Sequence, residues 1–322
     1  MLVTGENGAG KTNLLEAMHL ATQGFSPRTR NDGSLIRFGE AAAAVRLRID
    51  REGVGHEVAV KLSKGAPKTA ELDGSRLTSA DSLRREFPTL VFTPDRLAVI
   101  KGAPAARRAY LDRALARLLP PRAGLPLEYA ATLAQRNAAL RRVQLGFSGR
   151  DALEPWTERL AALAGTLVAA RREALAALEP GFSKRLEQLG LPGGGLRYES
   201  DPPSAEALEA RLEADIARGA TGLGPHLDDV TIEASGRELR SFGSQGEQRL
   251  ALLALLLAES SLLPASPLLL LDDVLSELDS RRRGVLAELL AGLGQTVITT
   301  THRSALPVEP SQVVEVTPGT AV

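Results

Sequence analysis

Apolar and polar positions alternate strictly around residue 45. Val45, Leu47 and Ile49 are interleaved with Arg46 and Arg48, which predicts a half-buried strand. Glu52-Gly53-Val54-Gly55 turns the chain, Glu57 to Leu62 alternates again, and Asp73-Gly74 is a hairpin signal. Residues 40–92 therefore read as an antiparallel meander ending in the apolar strand Thr89-Leu90-Val91-Phe92. Pro94 to Asp112 runs into helix. From Ala105 to about Arg218 Ala, Leu, Arg and Glu dominate and strand signals are weak. Breaks at Pro120-Pro121, Gly146 to Gly149, Pro180-Gly181, Gly193 to Gly195 and Pro202-Pro203 come too often for a long coiled coil. The α/β pattern returns near Gly222. Leu250 to Leu263 is apolar on most sides, hence a buried helix. Leu268 to Leu271 is a continuous apolar run, as in the middle of a parallel sheet. An amphipathic helix over Ser280 to Leu293 and a strand over Thr296 to Thr300 follow.

Composition narrows the class. The chain has 322 residues, 43% of them hydrophobic, enough to bury a real core. Cys is 0, which excludes disulfides and thiolate chemistry and suits a reducing cytoplasm. No signal peptide is visible, and the longest clean apolar run, Leu250 to Ala258, is far short of a membrane span, so a cytoplasmic protein with no membrane partner is expected. Lys+Arg and Asp+Glu both number 39, so net charge names no partner. The distribution says more. Lys101 to Arg172 carries 13 basic residues against 5 acidic, and Glu199 to Glu233 carries 9 acidic against 2 basic. Such a basic segment fits a polyanion-binding face or a set of solvated helix faces. Aromatics are only 3%, which argues against reading single strands by base stacking.

The candidate chemistry begins at Gly5-Glu6-Asn7-Gly8-Ala9-Gly10-Lys11-Thr12, which fits the phosphate-binding P-loop G-x-x-x-x-G-K-[ST]. Val3-Thr4 reads as the tail of a buried strand and Asn13 to Ala21 as the helix that follows. Backbone N–H groups at that helix start, Asn13 included, would face nucleotide phosphates. Lys11 would reach the β/γ-phosphates and the Thr12 hydroxyl would hold Mg²⁺. The strand Leu268–Leu271 ends in Asp272 and Asp273. Asp272 fits the second Mg²⁺ group, and Asp273 would point at the γ-phosphate as base or water-orienting group.

Ser241 to Arg249 contains Ser244-Gln245-Gly246 and resembles the signature motif of ABC ATPases, in which the Ser and Gly bind the γ-phosphate held by the other subunit. Ser276-Glu277-Leu278-Asp279 resembles their D-loop, and His302 falls where their switch histidine does. No clear Q-loop glutamine is present, and Phe92-Thr93-Pro94-Asp95 occupies its place.

The resemblance becomes specific to the RecF family. Pro94-Asp95, Gly102-Ala103-Pro104, Arg107-Arg108 and Tyr110-Leu111-Asp112 resemble its first signature. Leu270 to Asp273 with Ser276 to Asp279, Arg282 and Leu286 resemble its second. Tyr129, Leu133, Gln135-Arg136-Asn137 and Leu140-Arg141 resemble its helical lobe, and Gly224 to Asp229 its G-P-H-x-D-D segment. The likeness spans nearly the whole chain. It implies an α/β fold: a P-loop ABC-type ATPase head with an antiparallel β subdomain and an inserted helical lobe, divided as 1–103, 104–218 and 219–322. RecF proteins carry strands ahead of the P-loop, whereas only Met1 to Thr4 precede it here, so those strands are expected to be missing from this chain.

The resemblance also implies a function. A RecF-type protein binds ATP with Mg²⁺, forms an ATP-dependent head-to-tail homodimer, and grips DNA at gaps or single-strand/double-strand junctions. It works with RecR and RecO to place a recombinase, and hydrolyses ATP slowly. The implied nucleotide set is Gly5 to Asn13, Ser244, Gly246 and Asp279, with Lys11, Asp272, Asp273 and His302 as catalytic groups. Arg136, Arg141 and Arg142 are the DNA candidates. Arg107 and Arg108 read either as DNA contacts or, slightly better, as structural pairs. Two other readings stay open: a nucleotide-binding scaffold without turnover, and another SMC- or ABC-type ATPase, a transporter motor being disfavoured.

Overall fold

The structure is a computed structural model describing residues 1–322 except Arg30 and Glu52, so the Glu52 end of the expected turn lies outside the described residues. It divides into two compact units, Met1–Arg96 with Leu263–Val322, and Leu97–Leu262.

The first unit holds a six-stranded sheet. Its order is Thr320–Ala321, Val313–Thr317, Leu2–Thr4, Thr296–Thr300, Leu268–Leu271, Thr89–Phe92. Every pairing is parallel except the terminal hairpin. Leu268–Leu271 reads as an unbroken apolar run because both faces are covered, and Leu2, Val3, Leu269, Leu270, Leu271 and Val297 are all fully buried. The helix Lys11–Gln23 adds Leu15 to the cluster of Val3, Val91, Leu270, Val297 and Val316.

A second, antiparallel sheet runs Ala42–Arg51, Val54–Ser63, Ala66–Leu72, Ser75–Arg76. Its inner face packs Val58, Val60 and Leu62 with Leu20, Leu83 and Phe87, while Val45, Leu47 and Ile49 stay half-buried as their alternation predicts. Asp73 and Gly74 turn the last hairpin with φ of 51° and 77°, the left-handed pair that such a turn demands. One expectation fails. Thr89–Phe92 does not close the meander but joins the parallel sheet beside Leu268–Leu271. An alternating half-buried strand belongs in the meander, whereas four consecutive buried residues fit only a sheet covered on both faces.

The second unit is mainly helical: Pro104–Leu118, Leu125–Gln144, Glu154–Gln188 and Gln245–Leu262, with a small antiparallel sheet of Gly195–Arg197, Thr231–Ala234 and Arg237–Glu238. The break expected at Pro180-Gly181 is absent, because the helix Glu154–Gln188 runs straight through it. Burial keeps its helical period on both sides of the proline, with Leu167, Ala170, Ala174, Leu178, Phe182 and Leu186 all inward. That packing outweighs the hydrogen bond Pro180 cannot donate. Gly181 has its own reason, since a Cβ there would sit 3.2 Å from the Ala258 Cβ of the apolar helix Gln245–Leu262. In that helix every residue from Leu250 to Ala258 is buried.

Candidate nucleotide-binding site

The first unit brings the P-loop and the acidic strand end together. Gly5 has φ 156°, and a Cβ on it would meet the Val316 carbonyl oxygen at 2.3 Å, so the loop's entry needs glycine. Gly8 and Gly10 have φ of 82° and 110°, a backbone region that glycine enters without steric cost. Gly10 is the N-cap of Lys11–Gln23 and offers no capping side chain, so the first amides of that helix stay available. The Lys11 ammonium donates to the carbonyls of Gly5 at 2.7 Å and Glu6 at 2.8 Å, which folds it over its own loop. Glu6, Asn7, Gly8 and Asn13 are exposed, and Ala9 is buried. A cavity of about 790 Å³ opens beside the loop, lined among others by Gly8, Gly10, Asn13, Arg37, Phe38 and Val316.

The Thr12 hydroxyl lies 3.1 and 3.0 Å from the two Asp272 carboxylate oxygens. Asp272 is only 6% exposed. Its neighbour Asp273 is half-buried and has φ 49°, a left-handed conformation rare for a residue other than glycine and typical of functional strand ends. Sequence reasoning missed Thr299. It is fully buried, its hydroxyl donates to Asp272 at 2.7 Å, and it accepts the Asp273 amide at 2.9 Å. Its position in an apolar strand beside the acidic one was the only available signal. Thr93, in the place of the missing Q-loop residue, is 2% exposed with no partner for its hydroxyl. Asp95 faces Arg28 at 3.5 Å.

The oxygens of Thr12 and Asp272 suit a hard divalent cation, because Mg²⁺ is usually held by one or two such protein groups together with phosphate oxygens and water. Among the described residues no group of three or more His, Cys, Asp or Glu could hold a metal by itself.

Asp279 caps the helix Ser280–Ala291 by accepting the Arg282 amide at 2.9 Å, so its carboxylate is engaged locally. His302 is exposed just beyond Thr296–Thr300.

Ser244 and Gly246 belong to the second unit. Ser244 and Glu247 form a capping box: the Glu247 carboxylate accepts the Ser244 amide at 2.7 Å, and the Ser244 hydroxyl accepts the Glu247 amide at 3.3 Å. Ser244, Gln245 and Gly246 are exposed at the start of an 18-residue helix, the end at which an anion is favoured.

The arginines of this unit divide sharply. Arg136 cannot be a DNA contact, since it is fully buried and bonded to Asp215 at 2.9 Å, Thr221 at 2.8 Å and Thr157 at 3.1 Å. Arg107 is 3% exposed and grips Asp229 with two bonds of 2.6 and 2.7 Å, which makes its role structural. Burial works against the Asp229 charge, yet Arg107, the Val230 amide and Arg240 hold that carboxyl below its usual range. Arg108 donates to the Asp228 carbonyl. Arg171 joins Asp112, Tyr198 and the Pro225 carbonyl. Arg141 and Arg142 are exposed, and their side chains bond to the Gly219 carbonyl and the Ser148 hydroxyl. They sit near the exposed Leu145 and Phe147.

The RecF/RecN/SMC N-terminal domain family matches residues 1–321. The DNA replication and repair protein RecF of Heliobacterium modesticaldum is 37% identical over 333 residues, covering 96% of this chain and 88% of the relative. That of Anaeromyxobacter dehalogenans is 39% identical, covering 94% and 86%. Among solved structures, the recombination mediator protein RecF with ATP, described in the RecFOR pathway, matches with a TM-score of 0.87 at 30% identity, covering 100% of this chain and 90% of that one. An SMC head bound to the C-terminal winged-helix domain of ScpA shares the fold, with a TM-score of 0.59 at 17% identity. On the strength of these matches, and with its P-loop and acidic strand end assembled on one sheet, the chain belongs to the RecF family of ABC-type ATPase folds.

Proposed function

We propose that this chain is an ATP-dependent DNA-binding protein of replication and repair. It binds Mg-ATP at Gly5–Thr12 and Asp272, dimerises on it, and holds DNA at gaps or single-strand/double-strand junctions in concert with RecR- and RecO-type mediators. Residues 1–103 and 219–322 act as the ATPase head and 104–218 as the inserted lobe. The observation that carries the reading is the Thr12 hydroxyl seated on the buried Asp272 carboxylate. Two oxygen donors from distant parts of the sequence meet at the open end of a P-loop, where a nucleotide-bound Mg²⁺ takes few protein ligands. When bound, Mg²⁺ neutralises charge on the β/γ-phosphates.

Around it, Lys11 turns from its loop carbonyls to the phosphates, the free amides of the helix start bind phosphate oxygens, and Asp273 orients water for slow hydrolysis. The cavity beside Asn13 takes the base and sugar side. Ser244 and Gly246 supply a second helix N-terminus, which reaches a γ-phosphate held by another copy. ATP then favours the dimer by binding it differently from the monomer. Arg141 and Arg142 carry the DNA contact, directed at phosphates and therefore sensitive to salt.

The test is molar mass by light scattering with Mg-ATP, with Mg-ADP and without nucleotide. Doubling with Mg-ATP alone supports the reading, after which salt-dependent DNA binding is measured in the same three states. Binding of Mg-ATP with no change in mass would replace it with a monomeric nucleotide-binding scaffold.

A further inference from the structure

We infer that Thr299 is a positioning residue that sets both carboxylates of the nucleotide site through one hydroxyl. The inference rests on the Mg-ATP reading above and extends it to a residue outside the nucleotide-binding set.

Strand register puts Thr299 there. Leu271 pairs with Ile298 in the parallel ladder, so the next residues along, Asp272 and Thr299, stand side by side at the end of the sheet. Val3 pairs with Thr299 on its other flank, which fixes the strand from both sides. Thr299 is 0% exposed and β-branched, so it holds one rotamer in a packed strand. A hydroxyl has one proton and two lone pairs. Here the proton goes to Asp272 Oδ1 at 2.7 Å, and a lone pair takes the Asp273 amide at 2.9 Å.

The two bonds do different work. The first turns the Asp272 carboxylate toward Thr12, whose hydroxyl lies 3.0–3.1 Å away. The second holds the peptide that enters Asp273, and that residue keeps a left-handed φ of 49°. A non-glycine residue relaxes out of that conformation unless its surroundings hold it, and the site supplies a second restraint in the Ser276 hydroxyl on the Asp273 carbonyl at 3.0 Å. Thr299 thus ties the orientation of the metal carboxylate to the backbone that aims the next one. Both bonds reach residues just past the end of a different strand, Asp272 and Asp273.

The test is a Mg²⁺ titration of the thermal midpoint of the whole chain at fixed ATP, for wild type, Thr299→Val, Thr299→Ser and Thr299→Cys. Valine keeps the shape and removes the hydroxyl. Its Mg²⁺ half-saturation point should rise about 10- to 100-fold, the usual cost of losing a partner that orients a ligand, with phosphate release falling by a similar factor. Serine keeps the hydroxyl and should stay within about 3-fold of wild type, well below that range. Cysteine fits the packed site with a weak donor and should fall between the two, which keeps the comparison alive if valine disturbs folding. A lower midpoint for valine without nucleotide, accompanied by an unshifted Mg²⁺ curve, would assign Thr299 to packing and overturn the inference. Serine as impaired as valine would also overturn it. A double-mutant cycle with Asp272→Asn reads the coupling directly, since Thr299→Val should add almost nothing to the Mg²⁺ shift once Asp272 is changed. A wild-type chain that never responds to Mg-ATP sinks the nucleotide reading and this inference with it, while a responsive wild type beside an unchanged valine variant sinks the inference alone.

Discussion

The P-loop cation of the first compact unit and the buried arginines of the second are treated in opposite ways. Lys11 rests on main-chain carbonyls, with no carboxylate among the described residues, and the P-loop helix begins without a side-chain cap. In the second, Arg107, Arg117, Arg136 and Arg171 are each fastened to a carboxylate, and three of them are at least 96% buried at the side chain. The first arrangement keeps charge-binding capacity for something that arrives. The second uses its charges to lock helices and the Gly224–Asp229 segment in place. A basic stretch in a sequence is therefore ambiguous until its partners are known, and most of the basic excess over Lys101–Arg172 goes into architecture.

The largest effect that could break this contrast is expected at Arg136. Arg136→Met should destabilise the chain by about 3–5 kcal/mol, because it strands the buried Asp215 carboxylate without a counter-charge. Changing Asp215 to Asn alongside it removes the stranded charge and keeps an oxygen for the Gly222 amide, so the pair should recover at least ~1 kcal/mol. Urea unfolding of the three chains checks this. A stable Arg136→Met chain with weakened DNA binding would return Arg136 to the DNA contacts and erase the contrast.

Arg136 also marks the limit of what the sequence could tell. The P-loop and Asp272-Asp273 were legible because their geometry is local: a glycine pattern dictates the loop, and an apolar run dictates the strand that delivers the carboxylates. The fate of Arg136 depends on Asp215 and Thr221, which lie 79 and 85 residues away, a distance no spacing rule covers. Thr299 was missed for the same reason, since its meaning arises from strand register. Chain order alone places Thr89–Phe92 in the meander, and its burial on both faces places it beside Leu268–Leu271. Pro180 signals a stop because propensity is local, whereas the packing that overrides it is not.

The next effect sharpens the other side. Lys11→Ala should cost about 2–3 kcal/mol of nucleotide binding through loss of charge-assisted bonds, and should leave the urea midpoint without nucleotide nearly unchanged. Calorimetric titration with Mg-ATP measures the first half and unfolding the second. A fall in stability as large as that of Arg136→Met would mean that Lys11 is itself structural. Smaller again is Ser244→Ala. Removing the capping hydroxyl should lower stability by about 1 kcal/mol, and in the dimer reading it should also abolish the mass increase with Mg-ATP. Loss of stability alone would leave Ser244 as a cap and nothing more.

The smallest expected effect concerns His226, which joins the locked unit by neutral bonds. Its Nε2 donates to the Thr221 carbonyl at 3.1 Å, which leaves Nδ1 to accept the Tyr129 hydroxyl at 2.8 Å. Burial pushes the His226 pKa below its ordinary 6.5, helped by Arg108 and opposed by the Thr221 bond and by Asp228 and Asp215. The folded chain therefore refuses a proton that the unfolded chain accepts. Above pH 6.5 both states are neutral at this residue and it gives stability no slope. As pH falls through 6.5 the unfolded state binds the extra proton, so stability drops by no more than about 1.4 kcal/mol per pH unit until the folded imidazole titrates as well. Urea midpoints at pH 7.5 and 5.5 should therefore differ more for the wild type than for His226→Gln, which keeps a donor and an acceptor but cannot titrate. Equal slopes in the two chains would show that His226 does not carry the acid dependence of this unit between those two pH values. Asp229 acts only at lower pH, since its depressed pKa keeps its bonds to Arg107 intact until the solution is more acidic than the ordinary carboxylate range.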